Sequence, residues 1–170
     1  ENIQLRLDFI QVLRKQQRFA DALEQARWLT AREPDNPVFL SHLAIESMQA
    51  GDYETALETF EKVLVLVPDD PATLTSRGHA LKTYGKTPEA IASYQAATRV
   101  APQLGDAWYG LANLKTYRFS DGELDSMSVA VASGELDHMS RIHIAFALGK
   151  ALEDREEYDA AFAHFAEGNA

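Results

Sequence analysis

Three prolines, Pro34, Pro68 and Pro102, are spaced 34 residues apart in this chain of 170 residues. A fixed period of this length indicates structural repeats, each of which must stack on its neighbours to bury its apolar face. Proline lacks an amide donor and clashes with the preceding helical turn, so each of these prolines is expected to follow the end of a helix. The spacing therefore predicts a chain built from repeated helical units.

Aligned on these prolines, residues 37–70 and 71–104 share a pattern of small, glycine and aromatic positions. The pattern is Leu40, Ala44, Gly51, Tyr53, Ala56 and Phe60 in one unit, and Leu74, Gly78, Gly85, Ala90 and Tyr94 in the next. The two turn glycines lie where a first helix must end and reverse, a position that favours positive φ. The pattern resembles the tetratricopeptide repeat, a helix–turn–helix unit with its signature at these spacings.

This resemblance implies an all-α fold, a right-handed superhelix (α-solenoid) of about five repeats and ten helices, forming one domain over residues 1–170. The expected repeats cover residues 3–36, 37–70, 71–104, 105–141 and 142–170. Asn36 and Asp70 are predicted N-caps, each followed by a proline at the first helical position. In the first repeat Gln17 takes the place of the turn glycine. The fourth repeat carries about three extra residues, and its second helix is expected to open with a capping box that starts at Ser120.

The residue types exclude most chemistry from this chain. It has no cysteine, which rules out disulfides, thiolate metal sites and a cysteine nucleophile. His138 and His143 are five residues apart, whereas a zinc-binding pair on one helix uses a spacing of four. Acidic neighbours such as Glu153 and Asp154 are adjacent rather than convergent, so they are poor candidates for acid–base catalysis. We therefore expect no metal, no cofactor and no enzyme activity within the chain.

The net charge of −10 is spread unevenly. Residues 37–70 carry one basic and seven acidic side chains, a net −6, while residues 71–104 carry four basic and one acidic, a net +3. A negative balance argues against nucleic acid as a partner, because phosphates require clustered Lys and Arg. The charges are interpreted as solvated outer faces, or alternatively as a docking place for a basic partner near Glu54, Glu58 and Glu61.

No membrane partner is expected, since the sequence has no run of 18 apolar residues. The chain begins at Glu1 rather than at methionine, so its N-terminus is expected to be trimmed, with any targeting segment removed. The cytoplasm is the default location.

In tetratricopeptide repeat proteins, five positions of each first helix line a concave groove that binds an extended or helical peptide of a partner protein. The resemblance implies the same role here, as a protein–protein interaction scaffold. The predicted groove residues are Ile45, Met48, Gln49, His79, Lys82, Tyr109, Asn113, Tyr117, Phe146 and Lys150. Packing between repeats is the competing interpretation for Tyr109, Trp108 and Phe146. Chaperone-binding members clamp a terminal carboxylate with Lys and Asn at two groove positions. That clamp is absent here, and the partner's identity stays open.

A narrower resemblance concerns residues 106–169, through the segments 111–121, 146–154 and 162–169. They are similar to bacterial proteins that join tetratricopeptide repeats to a sulfotransferase domain. This resemblance implies an alternative function, the N-terminal substrate-presenting region of an enzyme that uses phosphoadenosine phosphosulfate. The cofactor loop of that domain is absent from the sequence, so such activity would lie outside this chain.

The last repeat ends in apolar residues with no capping helix after them. Phe162, Phe165 and Ala166 lie close to Ala170, and repeat arrays normally cover their terminal apolar face with a polar cap. The sequence therefore predicts an exposed apolar patch and self-association through this repeat.

Overall fold

The computed structural model describes residues 2–168, which form ten helices and no strand. The predicted all-α fold with ten helices is therefore confirmed. The helices are α1 (Ile3–Lys15), α2 (Phe19–Arg32), α3 (Pro37–Gln49), α4 (Tyr53–Leu66), α5 (Pro71–Thr83), α6 (Thr87–Val100), α7 (Gly105–Ala112), α8 (Asp121–Ala132), α9 (His138–Glu153) and α10 (Tyr158–Gly168). Odd-numbered helices are the first helices of the repeats, and even-numbered helices are the second.

The chain forms two compact units, Glu1–Ala90 and Ile91–Ala170. In the first unit, neighbouring helices from α1 to α5 pack on one another in chain order. In the second unit, α9 packs against α7, α8 and α10. The prediction of a single repeat domain over residues 1–170 stays a prediction.

The prolines end helices as their spacing predicts. The helices α2, α4 and α6 finish at Arg32, Leu66 and Val100, each two residues before its proline. Both predicted N-caps are also confirmed. The side chain of Asn36 accepts a hydrogen bond from the backbone N–H of Val38 at 3.0 Å, and that of Asp70 accepts one from Thr73 at 2.8 Å. Each cap satisfies a backbone donor that has no partner inside the helix.

The turns inside the hairpins have the left-handed backbone expected of their glycines. Gly51 has a φ of 85° and Gly85 a φ of 88°. In the first repeat Gln17 occupies the equivalent turn with a φ of 59°. Since a side chain crowds the backbone in this conformation, the first repeat makes the same turn at a higher conformational cost.

Small residues let the helices of each unit approach closely. In the first unit Ala44, Ala56 and Ala80 are fully buried in one cluster with Phe60. In the second unit a Cβ on Gly110 would lie 2.6 Å from the ring of Tyr94, which is itself fully buried. Phe60 and Tyr94 therefore fill the spaces between neighbouring hairpins.

The fourth repeat departs from the regular pattern. Its first helix, α7, has only eight residues and ends at Ala112, and an irregular segment, 113–120, leads to α8. The predicted capping box is present at the start of α8: Ser120 accepts from the backbone of Glu123, and the Glu123 carboxylate accepts from the backbone of Ser120. The extra residues of this repeat therefore lie between two helices.

Candidate functional site

The predicted groove residues fall into two sets, one in each unit. Five lie on α3 and α5 of the first unit: Ile45, Met48, Gln49, His79 and Lys82. The other five come from α7, α9 and the segment after α7: Tyr109, Asn113, Tyr117, Phe146 and Lys150.

In the first unit, the two apolar candidates are only half-buried and partly serve the core. Ile45 and Met48 both pack against the buried cluster around Phe60. Only part of each of these side chains is therefore accessible to a ligand. Gln49 and Lys82 are exposed. The same unit exposes Val38 at the start of α3, with 53% of its surface accessible. These side chains offer a mixed apolar and polar surface.

In the second unit, Tyr109 belongs to a cluster of aromatic rings. Its ring stacks on that of His143 with 4.7 Å between centroids and 15° between planes. Phe146 meets it edge-on at 6.3 Å and contacts Phe165 at 5.8 Å. Tyr109 is still 37% exposed, so packing between helices and exposure to a ligand are combined in one residue.

Two glycines allow this cluster to form. A Cβ on Gly149 would lie 2.6 Å from the ring of Phe165, and one on Gly168 would lie 3.1 Å from the ring of Phe146. The rings are therefore held against helix backbone on α9 and α10. An aromatic side chain fixed in this way loses little conformational entropy when it binds a partner.

The polar candidates of the second unit are held by neighbours. Asn113 caps the end of α7, where its Nδ2 donates to the carbonyl oxygen of Tyr109 at 3.0 Å. Lys150 donates to Asp154, the C-cap residue of α9. Arg118 lies 3.4 Å from the second oxygen of Asp154. Asp154 thus balances much of the charge of Lys150. The attraction of Lys150 for an anionic ligand is therefore weakened.

Tyr117 was expected on the first helix of the fourth repeat, and this placement is wrong. The helix α7 ends five residues earlier, and the irregular segment carries Tyr117 to the second helices instead. Its hydroxyl accepts from Gln95 on α6 at 2.9 Å and donates to Glu123 on α8. Burial and the neighbouring Glu123 carboxylate raise the pKa of the phenol. Tyr117 therefore ties two second helices together.

One polar cluster in the first unit was missed by the sequence analysis. Glu46 on α3 is fully buried, and its Oε1 accepts from Arg14 on α1, with Nε at 3.0 Å. His42, one turn before Glu46, is half-buried. Desolvation by burial and the adjacent Arg14 lower its pKa, an effect that the Glu46 carboxylate partly opposes. The signal in the sequence was a carboxylate at a repeat position where Ala80 and Leu114 are apolar.

The acidic surface of the first unit is partly engaged within the chain. Glu54 accepts from the hydroxyl of Tyr84 at 2.8 Å, and Glu61 accepts from Arg77 at 2.7 Å. Glu58 is exposed. Two of the three carboxylates predicted to meet a basic partner therefore join α4 to α5, which favours their interpretation as side chains of a repeat interface.

Residues 2–168 hold no group of three or more His, Asp or Glu side chains arranged to bind a metal ion. Within the same residues, no helix combines the length and apolar character needed to span a bilayer. In the first unit the exposed Val38, Gln49 and Lys82 are suited to recognition of another molecule, and in the second unit the exposed Tyr109 is.

Comparison with known proteins identifies the repeat. The sequence profile of the tetratricopeptide repeat matches residues 7–71 and 75–114, which is more than half of the chain. The Protein CTR9 homolog of Arabidopsis thaliana is 26% identical over 121 residues, covering 71% of this chain and 11% of that protein. The Photosystem I assembly protein Ycf3 of Synechococcus sp. (strain CC9605) is 31% identical over 93 residues, covering 53% of this chain and 54% of that protein. The chain spans about half or less of the length of these relatives.

Solved structures show the same fold. MamA of Desulfovibrio magneticus RS-1 superposes with a TM-score of 0.64 at 21% identity, covering 97% of this chain and 92% of that one. The C-terminal part of a TPR repeat-containing protein from Cytophaga hutchinsonii has a TM-score of 0.64 at 20% identity, covering 95% of this chain and 62% of that one. Identity this low supports the fold alone. None of these relatives supports the predicted link to sulfotransferases, which stays a prediction from sequence resemblance.

Proposed function

The chain belongs to the tetratricopeptide repeat family, and we propose that it binds an extended or helical peptide of a partner protein on the first helices of its repeats. Repeats of this family generally mediate protein–protein interactions, by presenting successive helix faces to a ligand. The name of the relative Ycf3 describes an assembly protein, a role that fits a chain acting by holding other proteins.

The observation that carries this proposal is the exposure of Tyr109 within its aromatic cluster. Its ring is fixed between His143 and Phe146, yet 37% of the residue remains accessible. Rigid, amphipathic aromatic residues of this kind are the usual anchors of protein interfaces, because they bury a large area at low entropic cost. We therefore assign Tyr109 as the anchor for an apolar side chain of the peptide.

Polar groups next to Tyr109 would fix the direction of the peptide. The amide of Asn113 is oriented by its hydrogen bond to the Tyr109 carbonyl, so its oxygen can accept from a peptide N–H. Lys150 is paired with Asp154 and would contribute little net charge. The ligand favoured by this surface carries apolar side chains with few charges near the anchor.

In the first unit, α3 and α5 offer a second contact surface of similar chemistry. Val38, Gln49 and Lys82 are exposed there, while the half-buried Ile45 and Met48 would form its apolar floor. We propose that this surface contacts a further stretch of the partner and contributes less energy than Tyr109, because it has no exposed aromatic residue among the predicted groove positions.

A peptide-display selection on the whole chain would test the proposal. Peptides enriched on the chain would be synthesised and their Kd measured by fluorescence polarisation. Tyr109→Ala is expected to weaken binding by at least about tenfold, since loss of an aromatic anchor costs about 2 kcal/mol. The matched control is Tyr84→Ala, which removes a tyrosine of similar exposure, 41%, outside the predicted groove residues.

Equal loss of affinity in both tyrosine variants, or none in Tyr109→Ala, would contradict the assignment of the anchor. Circular dichroism of each variant would show that the helices remain formed. If no peptide is enriched over an unrelated helical control protein, peptide recognition by these helices is wrong.

A further inference from the structure

A row of three residues crosses the first helices of the first unit. Arg14 on α1, Met48 on α3 and Lys82 on α5 are 34 residues apart, so they hold the same position in successive repeats. Arg14 bonds to Glu46 on α3, and one period later Met48 packs against the cluster that contains Ala80 on α5. These two contacts connect the three helices. We call Arg14, Met48 and Lys82 the cross-repeat row.

Arg14 brings hydrogen-bond donors to the row with little net charge. Its Nε and Nη2 both donate to Oε1 of Glu46, a carboxylate that is fully buried, so the pair as a whole is neutral. The Nη1 group of Arg14 has no hydrogen-bond partner among the described residues, and the side chain is 33% exposed. A guanidinium held in this way keeps donors for a ligand. Because its charge is balanced, a peptide carbonyl is a suitable acceptor.

Lys82 brings a positive charge that no carboxylate of the described chain balances. Residues 71–86, which comprise α5 and the turn after it, contain Arg77, Lys82 and Lys86 and no acidic residue. Arg77 is engaged by Glu61. Lys82 and Lys86 are exposed, and neither forms an ion pair within residues 2–168. The C-terminal end of α5 therefore carries positive potential, although the chain as a whole is acidic.

The acidic residues of the neighbouring elements are engaged elsewhere. The helices α1, α3 and α5 contain two, Asp8 and Glu46. Glu46 is bonded to its guanidinium partner, and Asp8 accepts from Gln4 nearer the start of α1 at 2.9 Å. Asp52, in the turn after α3, caps α4 by accepting from the backbone N–H of Thr55 at 3.1 Å. The charge of Lys82 is therefore left for a carboxylate that comes from outside the described residues.

We propose that the partner peptide presents an Asp or Glu side chain to Lys82, next to an apolar side chain that packs on Met48 and a backbone carbonyl that accepts from Arg14. This inference rests on the proposed binding of a peptide by the first helices, and it names the chemistry of the stretch bound in the first unit. Met48 is half-buried, so it provides an apolar contact between a donor and a cation. Complementary charge of this kind selects among peptides more than it adds affinity.

The peptide-display selection on the whole chain supplies the ligands for the test. The enriched peptides are expected to contain Asp or Glu beside an apolar residue. Replacing that acidic residue by its amide should weaken binding about two- to fivefold, the range of an exposed charge pair. Lys82→Gln should weaken the acidic peptide by the same factor and leave the affinity of the amide peptide unchanged. This double-mutant cycle isolates the contact between the two charges.

Arg14 is tested by the double variant Arg14→Met with Glu46→Leu, which removes the donors without leaving a buried charge. It should weaken the acidic peptide and its amide equally, by about two- to tenfold, because the acceptor is a backbone carbonyl. Circular dichroism would show that the helices remain formed. Wild-type affinity in a folded double variant would overturn the role of Arg14.

The matched control is Lys62→Gln, which removes an exposed lysine from α4 of the same unit and should bind both peptides as the wild type does. Equal losses in Lys62→Gln and Lys82→Gln would overturn the proposal, because they would show only an effect of net charge. Enriched peptides that depend on Tyr109 but carry no acidic residue, or that bind Lys82→Gln unchanged, would overturn it and leave the proposed function intact. A selection that enriches no peptide would overturn both.

Discussion

The buried carboxylate of Glu46 on α3 is bonded to the guanidinium of Arg14 on α1, across the interface between the first two repeats. Only one of its oxygens is used: Oε2 of Glu46 and Oγ of the adjacent Ser47 are buried without a hydrogen-bond partner among the described residues. Such a pair contributes little when intact, because desolvation offsets attraction, but it is costly to break. The stability of this interface therefore depends on keeping both partners.

Arg14→Ala is expected to lower the free energy of unfolding by about 3 kcal/mol, since it leaves the Glu46 carboxylate buried and unpaired. The value lies at the low end of the usual range because the Arg14 side chain is 33% exposed. Urea denaturation would measure the change. The double variant Arg14→Met with Glu46→Leu should recover most of the loss.

The control is Arg18→Ala, which breaks a surface pair with Asp21 and should cost less than about 1 kcal/mol. Equal losses in the two single variants would contradict the prediction.

His42 predicts a specific dependence of stability on pH. Burial and Arg14 lower its pKa in the folded chain below the ordinary 6.5, so the unfolded chain binds the proton more readily. The contribution of neutral His42 to the free energy of unfolding is therefore fully present above pH 6.5. It is lost as the pH falls from 6.5 through the folded-state pKa. In the His42→Asn variant, the free energy of unfolding should fall less steeply as the pH is lowered below 6.5. His138→Asn, at the exposed start of α9, serves as control. An unchanged acid-side slope in His42→Asn would contradict the prediction.

Gln17→Gly is expected to stabilise the chain by about 0.5–1 kcal/mol, because it relieves a left-handed backbone that a side chain disfavours. The φ of 59° at Gln17 is the basis of this prediction. Thermal denaturation followed by circular dichroism would detect the rise in Tm. The reverse change, Gly51→Ala, has space for its Cβ but the same strained φ, and it should destabilise by a similar amount. A lower Tm in Gln17→Gly would contradict the backbone argument.

Gly110→Ala should destabilise the second unit by about 1–3 kcal/mol through overpacking. The new Cβ would lie 2.6 Å from the buried ring of Tyr94, and that ring has little room to move. Gly122→Ala, at the start of α8, meets nothing within 4 Å and provides the matched control, expected to be neutral within about 0.5 kcal/mol. Chemical denaturation of the two variants side by side would distinguish a steric effect from a general effect of replacing glycine.

The regular part of the fold was predictable because local chemistry determines it. Pro34 and Pro68 stop helices wherever they occur, Asn36 and Asp70 cap the next ones, and the Ser120–Glu123 capping box forms within a single turn. The end of α7 was not predictable in this way. The spacing showed that the fourth repeat is longer, but it could not show where the extra residues lie, and Tyr117 was therefore placed on a helix that ends five residues before it.

The sequence predicted the helices on which most candidate residues lie, but not the side chains that surround them. Repeat register placed Tyr109, Phe146 and Lys150 on first helices, as the structure has them. It could not show that Tyr109 would stack on His143, or that Asp154 would engage Lys150, because these contacts depend on how α7 and α9 pack. Glu46 shows the same limit, since only the packing of α1 against α3 makes an acidic residue into a buried one.

The pair of Arg14 and Glu46 also restricts how this gene could change by gain or loss of whole repeats. If residues 37–70 were excised, Arg14 would face Ala80 on the next first helix and its charge would have no partner. If the same residues were duplicated, the second Glu46 would face Met48 of the copy before it. Excision would leave the charge of Arg14 without a partner, and duplication would bury an unpaired Glu46 carboxylate. The first two repeats are therefore expected to be inherited together, while the apolar junction of Met48 and Ala80 leaves later repeats freer to be exchanged.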